Sequence, residues 1–279
     1  MKHQVAIVIP IVTPTIDGDE LTSFQQCLRV LGKRDLFFIC GEELDTTFYE
    51  GITRQQPIPF NKKCFEKDCF SSVSAYNRLC FDPRLYQAFA DYEYILIYQL
   101  DAYIFEDHLD DWCQRGYDYV GGPWLCHWSN EVNNIDHWEV GNGGFSLRRV
   151  SAFKKILTHR NLLLRPLKGY GRLCMENRVR IKRNPVLRLW YLFRAMTGYH
   201  NTLQYYISRN GQEDKTYSQC QYNDLFRVPS AHEALAFSFD MRPATCFTLN
   251  GKRLPMGCHM WYKYDNEIFW YPIIYKNKE

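Results

Sequence analysis

Asp101 stands where a carboxylate can do chemistry. It follows a run of β-branched and aromatic residues, Tyr94 to Tyr98, within the stretch YEYILIYQLDAYIF at residues 92–105. Such a run, bounded by polar residues, reads as a central strand. An acid just past the carboxyl end of such a strand sits where open α/β sheets bind ligands. A solvated turn aspartate fits the same stretch equally well. Gln99 lies two positions before it and Ala102 directly after it.

Three later stretches hold further candidates. VGNGGFSLRR, residues 140–149, sets Asn142, Gly143 and Gly144 before an alternating Phe145-Ser146-Leu147. Its glycines permit close backbone approach to a ligand, and a tight hairpin turn would use them too. The run lacks the Gly-Lys-Ser/Thr ending of a P-loop and does not spell GxGxxG. NGQEDKTY, residues 210–217, puts Glu213 beside Asp214 at a helix start. Adjacent acids there can complement the helix N-terminus or provide a general base. LPMGCHMW, residues 254–261, places His259 in a Pro/Gly-bounded aromatic loop, either as a structural histidine or as a ligand or phosphate contact.

These residues need a scaffold, and the pattern supplies one. Residues 4–12 read as a buried strand that leaves the sheet at Pro10, so Pro10 and Thr13 fall in a loop of the kind that meets nucleotides. Leu21, Phe24, Leu28 and Leu31 share a helical face that Gly32 ends, and LFFIC at 36–40 is a second strand. This βαβ order predicts a parallel sheet with a right-handed crossover. Residues 42–69 read as loops with at most a short strand. Residues 70–80 read as a helix that turns Asn77 and Arg78 toward the site. Further helices are expected at 83–91, 108–115 and 150–158, with strands at 117–120 and within 232–239. Arg148 and Arg149 would meet phosphate or solvent.

Composition sets the bounds. A chain of 279 residues with 46% hydrophobic and 23% charged residues can bury a large core. A net charge of +3 makes no global demand for nucleic acid. No apolar stretch approaches the length of a membrane span. The N-terminal apolar run is short and broken by Pro10, so it does not read as a signal peptide, and the 11 scattered cysteines read as reduced cytoplasmic thiols. Residues 177–212 stand apart, with seven Arg or Lys, no Asp or Glu, and interleaved apolar and aromatic residues. That pattern fits either a helical insertion with solvated charges or contact with an anionic membrane surface through 178–194. Nucleic acid is the weaker option because no recognisable binding module accompanies the patch.

The four stretches, in this order across residues 94–261, resemble the GT-A class of nucleotide-sugar glycosyltransferases. Within it they look most similar to a bacterial family of GT-A-like proteins carried as a domain of unknown function. The resemblance implies an α/β fold with a Rossmann-type mixed, mostly parallel sheet flanked by helices. It implies one domain over residues 1–279, with 177–212 as a basic helical insertion. Asp101 matches the last acid of a DxD-like motif, and His259 resembles the late histidine that completes the metal or diphosphate site. Together they would hold Mn²⁺ or Mg²⁺. Gln99 replaces the first acid, which puts strong metal binding in doubt. Glu213-Asp214 resembles the acidic pair of inverting members, with Asp214 as the base and Glu213 next in line. Pro10, Thr13, Asn77, Arg78, Gln99, Asp101, Ala102, Asn142, Gly143 and Gly144 would contact the donor.

The implied reaction is transfer from a UDP-sugar to a glycan or lipid-linked acceptor, with inversion, in bacterial surface polysaccharide synthesis. The implied place is the cytoplasm or the inner face of the membrane. Gln99 favours a competing reading, a non-catalytic nucleotide-sugar or glycan-binding protein of the same fold. A nucleotidyltransferase would need more metal carboxylates and a glycine-rich basic loop, which residues 9–20 lack.

Overall fold

The computed structural model describes residues 3–125, 135, 138–159, 170–171, 174, 177–197, 202–209, 211–220 and 226–276. Its first strand, His3–Pro10 (β1), is covered on both faces, which is why it reads as a continuous apolar run. Alternate residues feed different cores: Ile7 and Ile9 join Phe24, Leu28 and Phe38, whereas Ala6 and Val8 join Tyr86, Ile95 and Phe153. Helix Gly18–Leu31 (α1) buries the predicted face and stops at Gly32. It leads to Asp35–Gly41 (β2), which pairs with β1 in parallel. Residues 42–69 hold more structure than loops. Helix Thr47–Arg54 (α2) buries Tyr49 and Thr53, one turn apart, before Asn61–Phe65 (β3) adds a parallel edge strand.

Helix Val73–Cys80 (α3) starts at Ser72, whose hydroxyl accepts the Ala75 N–H, and Pro83–Gln87 (α4) follows. Strand Tyr92–Tyr98 (β4) then returns to the other side of β1, again parallel, with Val5 opposite Tyr94 and Val8 opposite Ile97. The strand order therefore reverses between β1 and β4, a topological switch point. Tyr103–Ile104 (β5) leaves this sheet, and helix Leu109–Gln114 (α5) leads to Tyr119–Val120 (β6). Pro123–Leu125 (β7) and Trp138–Val140 (β8) form a separate antiparallel pair. Phe145–Arg149 (β9) fits antiparallel between β4 and β6, completing the order β3-β2-β1-β4-β9-β6.

Helix Val150–Thr158 (α6) covers one face of the sheet. Residues 177–212 carry the expected helices, Arg178–Arg183 (α7), Leu187–Met196 (α8) and Leu203–Ser208 (α9), while 198–201 and 210 lie outside the described residues. Glu213–Cys220 (α10) follows. The strand expected within 232–239 is mostly helix: Ala231–Phe237 (α11) begins with a capping box in which Ser230 and Glu233 satisfy each other's backbone N–H groups. Ser238–Phe239 (β10) is the strand portion. Pro243–Leu249 (α12), Gly257–Cys258 (β11) and Glu267–Ile274 (α13) complete the described chain. A second sheet, β10-β11-β5, joins these late pieces to the middle of the sequence, and a third core around Phe239, Trp261 and Trp270 lies beside it. The architecture is thus mixed α/β, with a mostly parallel central sheet flanked by helices.

Candidate active site

A cleft of about 410 Å³ opens at the switch point. Pro10, which is still the last residue of β1 and not yet in the loop expected from sequence, lines it with Thr13 beyond the strand, Gln99 and Asp101 after β4, Tyr76 and Lys263. Four expected donor contacts therefore meet here. Asn77 and Arg78 are not among the lining residues. Helix α3 turns Val73 and Tyr76 toward the cleft, and Arg78 lies exposed, donating to Ser74 one turn back. Ala102 is fully buried; its N–H donates to the Gln99 carbonyl at 2.9 Å, and its carbonyl accepts from the Ser23 hydroxyl. It shapes the turn that presents Asp101.

The small sheet explains how distant residues reach Asp101. Strand β11 runs antiparallel to β5, with Cys258 opposite Tyr103, and parallel to β10, with Cys258 opposite Phe239. The residues at the ends of these pairings, Asp101, His259 and Asp240, therefore come together. The His259 Nε2 atom lies 3.2 Å from the Asp101 Oδ1 atom, and Nδ1 lies 3.0 Å from the Asp240 Oδ1 atom. Lys263 donates its ammonium to the other Asp101 oxygen at 2.8 Å. Burial opposes the charge on His259, but the two carboxylates outweigh it and raise its pKa to about 10. Burial likewise pushes the Asp101 carboxyl up, and His259 and Lys263 bring it well below the usual carboxylate range. Asp240 and Lys263 were not anticipated. No local motif marks either one; their roles follow from pairing between two-residue strands and from the turn after Trp261.

The glycine pair is packed closely by two of the other candidate residues. A Cβ on Gly144 would lie 2.0 Å from the His259 Nε2 atom, and one on Gly143 would lie 2.4 Å from the Glu213 Oε1 atom. The two glycines thus form a seam, with the histidine packed against one and the acid pair against the other. Asn142 holds this seam in shape. Its side-chain oxygen accepts the N–H groups of Gly144 and Phe145 at 2.8 and 3.2 Å, and its backbone exchanges hydrogen bonds with the Tyr119 hydroxyl. Its side-chain Nδ2 atom is buried without a hydrogen-bond partner among the described residues.

The adjacent acids have different fates. Glu213 is buried, and its Oε1 atom accepts from the Arg148 guanidinium at 2.7 Å. Against the sequence expectation of contact with phosphate or solvent, Arg148 is fully buried, and it also donates to Ser146, the Tyr86 hydroxyl and the Gly143 carbonyl. Arg149, half-buried, pairs with Glu93 at 2.9 Å. Asp214, in the same helical turn as Glu213, is partly exposed. Burial raises its pKa first; the Lys215 N–H, whose hydrogen bond it accepts at 2.7 Å, lowers it, Asp240 raises it, and the charge on His259 lowers it again, leaving it above the ordinary value. Asp214 thus shares an electrostatic environment with the Asp101–His259–Asp240 cluster.

The cluster suits a divalent cation with a small protein ligand set. Among the described residues the His259 Nε2 atom is buried without a well-directed hydrogen bond, and its 3.2 Å separation from Asp101 matches two ligands of one ion at about 2.1 Å each. Asp240 on the far ring nitrogen orients the imidazole, as carboxylates do behind metal-bound histidines. Among the described residues no group of three or more His, Cys, Asp or Glu forms a metal cage. Asp101 and His259 would supply the protein ligands, leaving other positions to diphosphate oxygens and water.

Comparison with solved structures places the fold. Mouse xyloside xylosyltransferase 1, in its apo form, aligns over 93% of this chain and 97% of its own at a TM-score of 0.51 and 9% identity. The shared arrangement is the GT-A fold. The apo glycosyltransferase GlyE of Streptococcus pneumoniae aligns over 96% of this chain and 59% of its own, at a TM-score of 0.46 and 12% identity. Core-mannan synthase A from Aspergillus fumigatus, in its Mn/GDP form, aligns over 57% of this chain and 64% of its own, at a TM-score of 0.40 and 10% identity. This chain therefore spans less than two thirds of the latter two. No curated protein sequence matches it. The model of the family described as "Protein of unknown function (DUF5672)" matches residues 59–259, and the chain belongs to that family.

Proposed function

We propose that this chain is a glycosyltransferase that moves a sugar from a nucleotide-diphosphate donor, with UDP-sugars the first choice, to a hydroxyl of a glycan or lipid-linked acceptor. The observation that carries this reading is the meeting of Asp101, His259 and Asp240 at the switch-point cleft, which Asp101 lines, with Asp214 within their electrostatic reach. Glycosyl transfer needs positive charge at the departing diphosphate and a proton acceptor at the attacking hydroxyl. This corner of the molecule offers both.

The nucleoside would enter the cleft between the β1 loop and Tyr76, bringing the diphosphate to Asp101, His259 and Lys263. A divalent cation bound by Asp101 and His259 would supply charge that stabilises the leaving diphosphate. Lys263, already beside Asp101, would turn its ammonium to the same oxygens. Asp214 would take the acceptor proton as the acceptor oxygen bonds to the anomeric carbon and the bond from that carbon to the diphosphate breaks. One carboxylate is enough for such a single displacement with inversion. Glu213 is the poorer base because Arg148 already holds one of its oxygens. The setting we favour, bacterial surface polysaccharide assembly, rests on the sequence resemblance alone.

The test is a two-stage assay. A thermal-shift panel of nucleotide sugars with and without Mn²⁺ should show metal-enhanced stabilisation by one nucleotide diphosphate. Donor hydrolysis or transfer should then fail in Asp214→Asn while donor binding persists. Full activity in that variant would remove Asp214 as base. Donor binding by the wild-type chain with no turnover, across a broad acceptor panel, would favour a sugar-nucleotide binder.

A further inference from the structure

Helix α8 is turned inside out relative to the rest of the fold. Its inner face buries Tyr191 and Ala195. Val186, just before it, and Leu189, Trp190, Phe193 and Met196 on it are between 49% and 69% exposed. The spacing i, i+3, i+4, i+7, i+10 sets these five on one stripe. Trp190 and Phe193 stack at 5.7 Å, and the Arg194 guanidinium lies 5.8 Å from the Trp190 ring centre. The short preceding helix carries four exposed cations, Arg178, Arg180, Lys182 and Arg183, the last of them three residues before Val186 in the chain.

We infer that α7 and α8 form a docking surface for an anionic lipid bilayer, with the apolar stripe seated in the interface and the cations on the headgroups. Charge complementarity selects this occupant. Residues 177–212 carry seven Arg or Lys and no Asp or Glu, so a second copy meeting this face across a two-fold axis would set cations against cations. A nucleic acid would use the cations and rings but leave Val186, Leu189 and Met196 in water. An anionic bilayer accepts both kinds of group, because long basic side chains reach headgroups while the apolar face enters the acyl boundary. No helix among the described residues is long and apolar enough to cross a membrane, so the contact is interfacial. The surface would bring the chain to lipid-borne molecules whatever its chemistry, and it stands independently of the glycosyl-transfer reading.

Vesicle sedimentation with the full chain tests it. The wild type should pellet with phosphatidylcholine vesicles containing phosphatidylglycerol, remain in solution with phosphatidylcholine alone, and bind less as salt rises. Arg180→Gln/Lys182→Gln/Arg183→Gln should weaken partitioning on the order of a hundredfold, at about fivefold per cation. Leu189→Ser/Phe193→Ser should weaken it by roughly tenfold or more. All the altered side chains are exposed, so both variants should keep the wild-type melting temperature. Failure of the wild type to bind phosphatidylglycerol vesicles in physiological salt would overturn the inference. So would unchanged binding by the Leu189/Phe193 variant, DNA or RNA binding that this variant retains, or a dimer in gel filtration that it dissolves.

Discussion

Glu213 and Asp214 are neighbours in sequence, share one helical turn and feel each other's charge, yet their side chains have different partners. On the Glu213 side, Arg148 fills a closed pocket and spreads its donors over Ser146, Tyr86, the Gly143 carbonyl and the glutamate. On the Asp214 side, carboxylates, an imidazole and an ammonium gather near open space, with the cluster's positive groups shared among several acids. The first arrangement is closed and reciprocal, and suits holding a strand to a helix. The second is held together by the same kinds of force but leaves hydrogen-bonding capacity at the edge of a cleft. The difference between a structural and a chemical ion cluster here lies in access, since charge is buried in both.

The sharpest way to break this comparison is to open the closed side. Arg148→Met should destabilise the fold by roughly 3–5 kcal/mol in urea unfolding, because Glu213 is then buried without its partner. The double variant Arg148→Met/Glu213→Leu should recover much of that loss; equal stability of the two variants would mean the pair is not the source. The matching change on the open side is Asp214→Asn. It should cost about 10²–10⁴-fold in transfer rate with no loss of thermal stability, because burial disfavours the native charge. A large drop in melting temperature would return Asp214 to the structural side.

Asp240→Asn probes the link between the two functions of the cluster. If Asp240 orients His259, Mn²⁺ affinity in the presence of UDP should fall about 10–100-fold by calorimetry. Calorimetry should also show proton release on metal binding, since His259 carries a proton at neutral pH in the metal-free chain. The smallest effect is on the pH profile. Asp214 acts as a base only when ionised, so activity should fall as pH drops through its raised pKa, above the ordinary value of about 4. Asp240→Asn removes one of the charges that raise it, so the acid limb should move to lower pH.

Elements with strong periodicity were legible from the chain alone. Strands β1, β2 and β4 and helix α1 each carry enough apolar residues at one spacing to declare themselves. Helix α2 was not, because Gly51 and its few buried positions dilute the pattern. Helix α11 reads as a strand when HEALAF is taken alone, and Ser230 with Glu233 is the signal that corrects it. Helix α13 was hidden by Pro272 within it. Four chemical stretches were legible because each clusters unusual residues locally. Arg148 was misread because its strand is buried on both faces, so alternation gave no hint that the guanidinium points inward. Asp240 and Lys263 were invisible for another reason: they gain meaning from contacts with residues 259 and 101, which sequence spacing cannot reveal.

The β5–β11–β10 sheet also has a consequence for folding. Every strand of the six-stranded sheet is already present by Arg149, whereas Asp240, His259 and Lys263 come much later in the chain. Long loops must close before those residues can reach Asp101, which makes the cluster a late-forming assembly of high contact order. A folding intermediate could therefore hold a native-like central sheet while the reactive corner is still unmade. The site would then report completion of the molecule, and substitutions at the two-residue strands would delay the appearance of activity more than the appearance of secondary structure.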